Sequence, residues 1–77
     1  MQTRLKKVIA AILGIAATDV TGEASPATLK NWDSLKQMQI MLALEEEFSI
    51  RFDDAQIHDL SSFKLIAAEL TKRGIVA

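Results

Sequence analysis

The sequence has no cysteine, one histidine, one proline and one tryptophan. Without cysteine there are no disulfides, no thiolate metal ligands and no cysteine nucleophile. The lone imidazole, His58, would need carboxylates to build a metal site, and no ligand spacing surrounds it. No paired acid–base constellation stands out either, so a small enzyme ranks last among the readings. Charge of one sign is also missing. Nine basic and ten acidic residues interleave along the chain, for a net charge of −1, so there is no basic footprint for nucleic acid and a helix-turn-helix DNA binder is disfavoured. No apolar run approaches the roughly 20 residues a membrane span needs. There are no internal repeats and no low-complexity segments.

What is present fits one domain spanning residues 1–77. A chain of this size buries only about 60–65% of its unfolded surface, so stability is expected to be modest. Apolar residues make up 49% and charged residues 25%, an ordinary globular mixture. The N-terminal stretch has two readings. Arg4, Lys6 and Lys7 before the apolar run from Val8 to Ala17 look like a short secretory signal. Leu5, Val8, Ile9, Ile12 and Leu13, however, fall at the spacing of an amphipathic helix, and removing them would leave about 60 residues, near the lower limit for an independent fold. A first core helix is therefore predicted, capped by Thr3 and running to about Ile15, with Gly14 near its end. Residues 17–33 follow as a long connection holding Gly22, Pro26 and several Thr, Ser and Asp. A loop this long in a small domain is usually functional. Val20 and Leu29 are its expected anchors, and Asn31 is a candidate for a positive-φ kink.

The second helix is the best marked. From Leu35 to Phe48 the chain contains no Gly, no Pro and one β-branched residue, Ile40. Asp33 and Ser34 are both strong N-cap types. On the helical wheel Ile40, Gln37, Leu44, Phe48 and Met41 share one sector, which Met38, Leu42 and Leu35 extend to an apolar arc of roughly 200°, against the ~100° stripe of an ordinary surface helix. Either other helices flank it on two sides, helices one and four being the obvious pair, or part of the arc serves something outside the domain. Ile40, Met41, Leu44 and Phe48 are assigned to the core. Ile50 and Phe52 then face alike in a short extended link, and Asp53 or Asp54 opens a short helical turn with Ile57 and Leu60 inward. Ser61 or Ser62 caps a last helix whose apolar positions are Phe63, Ile66, Ala67 and Leu70. Lys72 and Arg73 suit its negative end, and Gly74 closes it. The predicted fold class is all-α, a small bundle of three long helices plus one short helix, with a long loop between helices one and two.

Asp33-Ser34-Leu35, a following helix that ends Ala43-Leu44-Glu45-Glu46-Glu47-Phe48, and the link Ile50-Arg51-Phe52-Asp53-Asp54 resemble the acyl carrier proteins. The chain length and helix order resemble them as well, so the likeness covers essentially the whole chain. It implies a carrier rather than an enzyme, with 4′-phosphopantetheine attached to Ser34 by a phosphopantetheinyl transferase that draws on coenzyme A and Mg²⁺. Acyl groups would ride on the arm as thioesters to acyl-activating, acyltransferase or synthase enzymes. Asp33 would contact the transferase or its metal, the chain itself having no metal site. Leu35, Met38 and Leu42 become a docking patch beside the arm, with Trp32 and Lys36 next to it. Glu45 and Glu46 would meet basic patches on partner enzymes. His58 is read as facing solvent.

The departures from the family pattern are informative. Where many fatty-acid carriers have acidic residues after the serine-leucine pair, this chain has Lys36, Gln37 and Gln39, and Asn31-Trp32 replaces the usual glycine before the turn. Acidic steering is weak, which points to a specialised carrier with a dedicated partner enzyme. An aminoacyl or peptidyl carrier and an unmodified helical interaction module remain open. A monomer without nucleic acid or membrane partners is expected, and the absence of a convincing signal together with use of coenzyme A points to the cytoplasm.

Overall fold

The computed structural model describes residues 2–77. It is all-helical among them: α1 spans Thr3–Leu13, α2 Ser34–Phe48, α3 Asp54–Asp59 and α4 Phe63–Lys72, with a 3₁₀ turn at Ala17–Asp19 early in the long connection. The three long helices and one short helix are those the periodicity predicts.

The helix ends show why the chain stops where it does. Thr3 is not the N-cap of α1 but its first residue. Gln2 occupies the cap position with a φ of 57° and no side-chain cap. The orphaned N–H groups of Arg4 and Leu5 instead donate to the carbonyl oxygen of Ala77, at 2.9 and 3.2 Å. Three helices close by one device. Gly14, Ser49 and Gly74 all adopt positive φ, at 71°, 54° and 77°. The residue after each, Ile15, Ile50 and Ile75, donates back to Ala10, Glu45 and Leu70 respectively. This is the 6→1 bond of a left-handed helix stop, and it ends α1 at Leu13, before Ile15. At the start of α3, Asp53 caps, and Asp53 and Gln56 form a reciprocal capping box. Ser62 rather than Ser61 caps α4 by accepting from Leu65 N–H.

The apolar faces meet in one cluster. Leu5, Ile9, Ile40, Met41, Leu44, Ile66 and Leu70 have no exposed surface, and Leu13, Phe52, Phe63 and Ala67 are buried beside them. α2 packs most closely against α1 and α3, rather than against α1 and α4. α4 enters the same cluster through Phe63, Ile66, Ala67 and Leu70. The long connection is pinned by Val20, as expected, and also by Ala24 and Trp32, while Leu29 is only half-buried. Asn31 does not use positive φ; its side-chain amide donates to the Leu13 carbonyl at the end of α1. Phe63 N–H donates to the Ala24 carbonyl, so the loop is also tied to the start of α4.

Candidate functional site

Two residues compete in the sequence for the cap of α2, and the fold separates their roles. Asp33, in an extended conformation, accepts the Lys36 N–H on Oδ1 at 2.8 Å. Ser34 is the first helical residue. It is exposed, and its hydroxyl makes no hydrogen bond among the described residues. Its neighbourhood suits an anionic group, because the N-terminal turn of a helix presents unpaired N–H groups and the positive end of the dipole.

Beside Ser34 an open groove of about 690 Å³ runs between the first turn of α2 and the length of α3, with Pro26, Gln37, Met38, Ile57 and His58 among its lining residues. Asp33 and Asp54 lie on its rim. A somewhat larger opening, about 780 Å³, lies at the far end of α2 between Leu42, Glu46, Ser49 and Arg51. It is more polar and remote from Ser34. The groove at Ser34 is the more apolar of the two and adjoins the exposed hydroxyl at the head of α2. Among the described residues no group of three His, Asp or Glu gathers in a way that could hold a metal ion, and no helix is long and apolar enough to cross a membrane.

Residues 3–70 match the family model described as the phosphopantetheine attachment site. The chain is also 33% identical over 66 residues to an acyl carrier protein of Buchnera aphidicola subsp. Baizongia pistaciae (strain Bp), covering 86% of this chain and 85% of that one. The chain belongs to the phosphopantetheine-binding acyl carrier family. It is a carrier, not a catalyst, and its cofactor is 4′-phosphopantetheine. The features at the head of α2 fit that group: an exposed hydroxyl, a helix N-terminus for the phosphodiester and a partly apolar groove alongside.

Around Ser34 the side chains named from the sequence divide into two sets. Leu35, Met38 and Leu42 are 63%, 52% and 51% exposed, so the domain leaves more than half of each side chain on this part of the α2 arc uncovered. Lys36 is half-buried and Glu46 exposed on the same helix. Trp32 and Glu45, by contrast, are not surface residues. Trp32 is 2% exposed and its indole N–H donates to Gln37 Oε1 at 2.8 Å, so it has no face for a partner. Glu45 turns its carboxylate inward, where Oε2 accepts the Phe52 N–H at 2.7 Å and Oε1 lies 3.8 Å from Arg51. Of the acidic run only Glu46 is free on the surface, since Glu47 is held by Arg4 at 2.9 Å. His58 faces solvent beside Asp59 at the rim of the groove.

The residue that sequence reasoning undervalues is Gln37. It is buried, accepts from Trp32 and donates to the carbonyl oxygens of Ile57 and Leu60. Its signal was a polar residue within an apolar sector, one turn after Ser34.

Proposed function

We propose that Ser34 is the attachment point of 4′-phosphopantetheine and that the protein carries acyl groups as thioesters to partner biosynthetic enzymes. The supporting observation is the division of labour at the turn: Asp33 caps the helix, which leaves the Ser34 hydroxyl exposed and uncommitted. In the modification step Ser34 Oγ attacks the pantetheine-side phosphorus of coenzyme A. An Oγ–P bond forms and the phosphoanhydride bond breaks. Adenosine 3′,5′-bisphosphate leaves, and the hydroxyl proton passes to a base of the transferase. Unpaired N–H groups at the start of α2 would favour the anionic phosphodiester there. When attached, the arm supplies a terminal thiol that holds the acyl group. The chain's own residues orient the arm and present it.

The test is intact mass before and after incubation with coenzyme A, Mg²⁺ and a promiscuous phosphopantetheinyl transferase. A gain of one phosphopantetheine that Ser34→Ala abolishes is the expected result. No gain on a folded helical protein would overturn the reading in favour of an unmodified interaction module.

Leu35, Met38 and Leu42 form the docking surface in this reading, with Lys36 and Glu46 supplying its charge. Met adapts well to varied surfaces, and an exposed apolar strip on a small soluble domain is a recurrent mark of a partner site. The nearly neutral chain and the cationic Lys36 beside the arm support a dedicated acyl-activating enzyme, acyltransferase or synthase rather than general fatty-acid enzymes. Turnover by housekeeping fatty-acid enzymes at the rate of a strongly acidic carrier would sink that part of the proposal.

A further inference from the structure

The floor of the groove beside Ser34 is a polar side chain. Gln37 stands one helical turn beyond Ser34 and is 8% exposed. Both its amide hydrogens are used, in bonds of 3.0 Å to the Ile57 carbonyl and 2.9 Å to the Leu60 carbonyl, while Oε1 accepts from the Trp32 indole at 2.8 Å. One side chain thus joins the end of the long connection, α2 and the C-terminal end of α3. α3 has only 6 residues and buries none of them completely. Its hold on α2 therefore depends on Ile57, Leu60 and these two carbonyl bonds. On the inner side of Gln37, Trp32 is buried, and one turn further along α2 Ile40 and Met41 are fully enclosed.

An apolar chain starting at Ser34 has two courses. It can lie in the open groove, against Pro26, Met38 and Ile57. Or it can pass between α2 and α3 into the core, which displaces Gln37 and strands two carbonyls and an indole N–H in apolar surroundings. We propose that Gln37 is the residue that decides where the cargo lies. It latches α3 to α2, shuts the interhelical core, and leaves an acyl thioester in the surface groove, open to water and to partner enzymes. The proposal rests on the reading of Ser34 as the attachment point.

The test loads the chain with butyryl- or decanoyl-phosphopantetheine from the corresponding acyl-coenzyme A, and intact mass confirms the loading. Thioester cleavage by hydroxylamine and the NMR positions of the Trp32 indole N–H and the Ile66 methyls are then compared for the two chains. The expected result for the native sequence is one cleavage rate for both chains and unmoved core resonances. Gln37→Met, which keeps the side-chain length and removes both donors, is expected to slow cleavage of the decanoyl form severalfold and to shift Ile66. Severalfold protection of the decanoyl thioester in the native sequence, with movement of the indole and the core methyls, would overturn the latch. Equal rates in a folded Gln37→Met protein would overturn the role given to Gln37. If that variant does not fold, the comparison of the two chain lengths in the native sequence still decides. An unchanged mass is a separate outcome: it removes the Ser34 reading, and this proposal with it.

Discussion

Asp33 and Ser34 are adjacent, both are good capping residues, and only one of them caps. That assignment can be tested by separating the cap from the charge. Asp33→Asn retains an oxygen for the Lys36 N–H and should leave thermal stability nearly unchanged, whereas Asp33→Ala should cost about 0.5–2 kcal/mol. If Asp33 also serves the transferase through its charge, phosphopantetheinylation of Asp33→Asn slows while its melting curve does not move. Loading rates and melts on the same samples make the distinction. Glu45 is the second residue with a structural duty. Its carboxylate satisfies the buried Phe52 N–H, so Glu45→Ala is expected to destabilise by about 1–3 kcal/mol in denaturant titrations. Glu46→Ala, one position on and exposed, should stay within about 0.5 kcal/mol of the native protein.

At the scale of the helices, α2 does two jobs with one apolar arc. The sector of Ile40, Met41 and Leu44 is fully enclosed, and the sector of Leu35, Met38 and Leu42 is more than half exposed. Truncating Leu35 or Met38 to alanine should change stability by no more than about 0.5 kcal/mol. The same changes are expected to raise the KM for the carrier with its acyl-loading enzyme severalfold, which steady-state kinetics on the modified protein would measure. The C-terminus of the same helix carries a different kind of cost. α1 and α4 end on glycine in the left-handed region, but α2 ends on Ser49 at a φ of 54°. A side chain in that conformation costs roughly 1–2 kcal/mol that glycine escapes, less glycine's greater loss of backbone entropy on folding. Ser49→Gly should therefore stabilise by a few tenths to about 1 kcal/mol, read as a higher denaturant midpoint with an unchanged slope.

The molecule as a whole is closed by two arginines. Arg4 reaches from α1 to the carboxylate and carbonyl of Glu47, both at 2.9 Å, and lies 4.6 Å over the Phe48 ring. Arg73, at the end of α4, bonds Glu69 at 2.7 Å, the Arg51 carbonyl at 2.8 Å and Gln56 Oε1 at 3.1 Å, and lies over Phe52. One guanidinium thereby gathers α4, the link after α2 and the start of α3. Its hydrogen bond and charge hold the Glu69 carboxyl below its ordinary value of 4.5, with Lys72 adding to the effect and burial opposing it. A carboxylate favoured in the folded state contributes stability that is fully present above its unfolded pKa and is lost as the pH falls through the folded one. Thermal melts on acidification below the ordinary value should show this loss in the native protein and a smaller loss in Glu69→Gln. An equal acid response in the two proteins would remove the pair as a source of stability.

The helices, their order and the exposed turn at Ser34 were legible in the sequence because each depends on neighbours within a few residues. Apolar spacing sets which face of a helix is buried, and Leu5, Ile9, Leu13, Phe63, Ile66 and Leu70 all lie where their period puts them. Glycine past the end of a helix marks its stop for a similarly local reason. The site's finer roles rested on partners far away in the chain. Gln37 finds its acceptors 20 and 23 residues on, and Asn31 reaches a carbonyl 18 residues back. Trp32 and Glu45 have nearer partners, Gln37 five residues on and the Phe52 N–H seven residues on, but these bonds cross from one element to the next and are not set by the helical period. Periodicity states that a side chain is on a given face. Which element covers that face, or leaves it bare beside Ser34, is settled only when the helices are packed together.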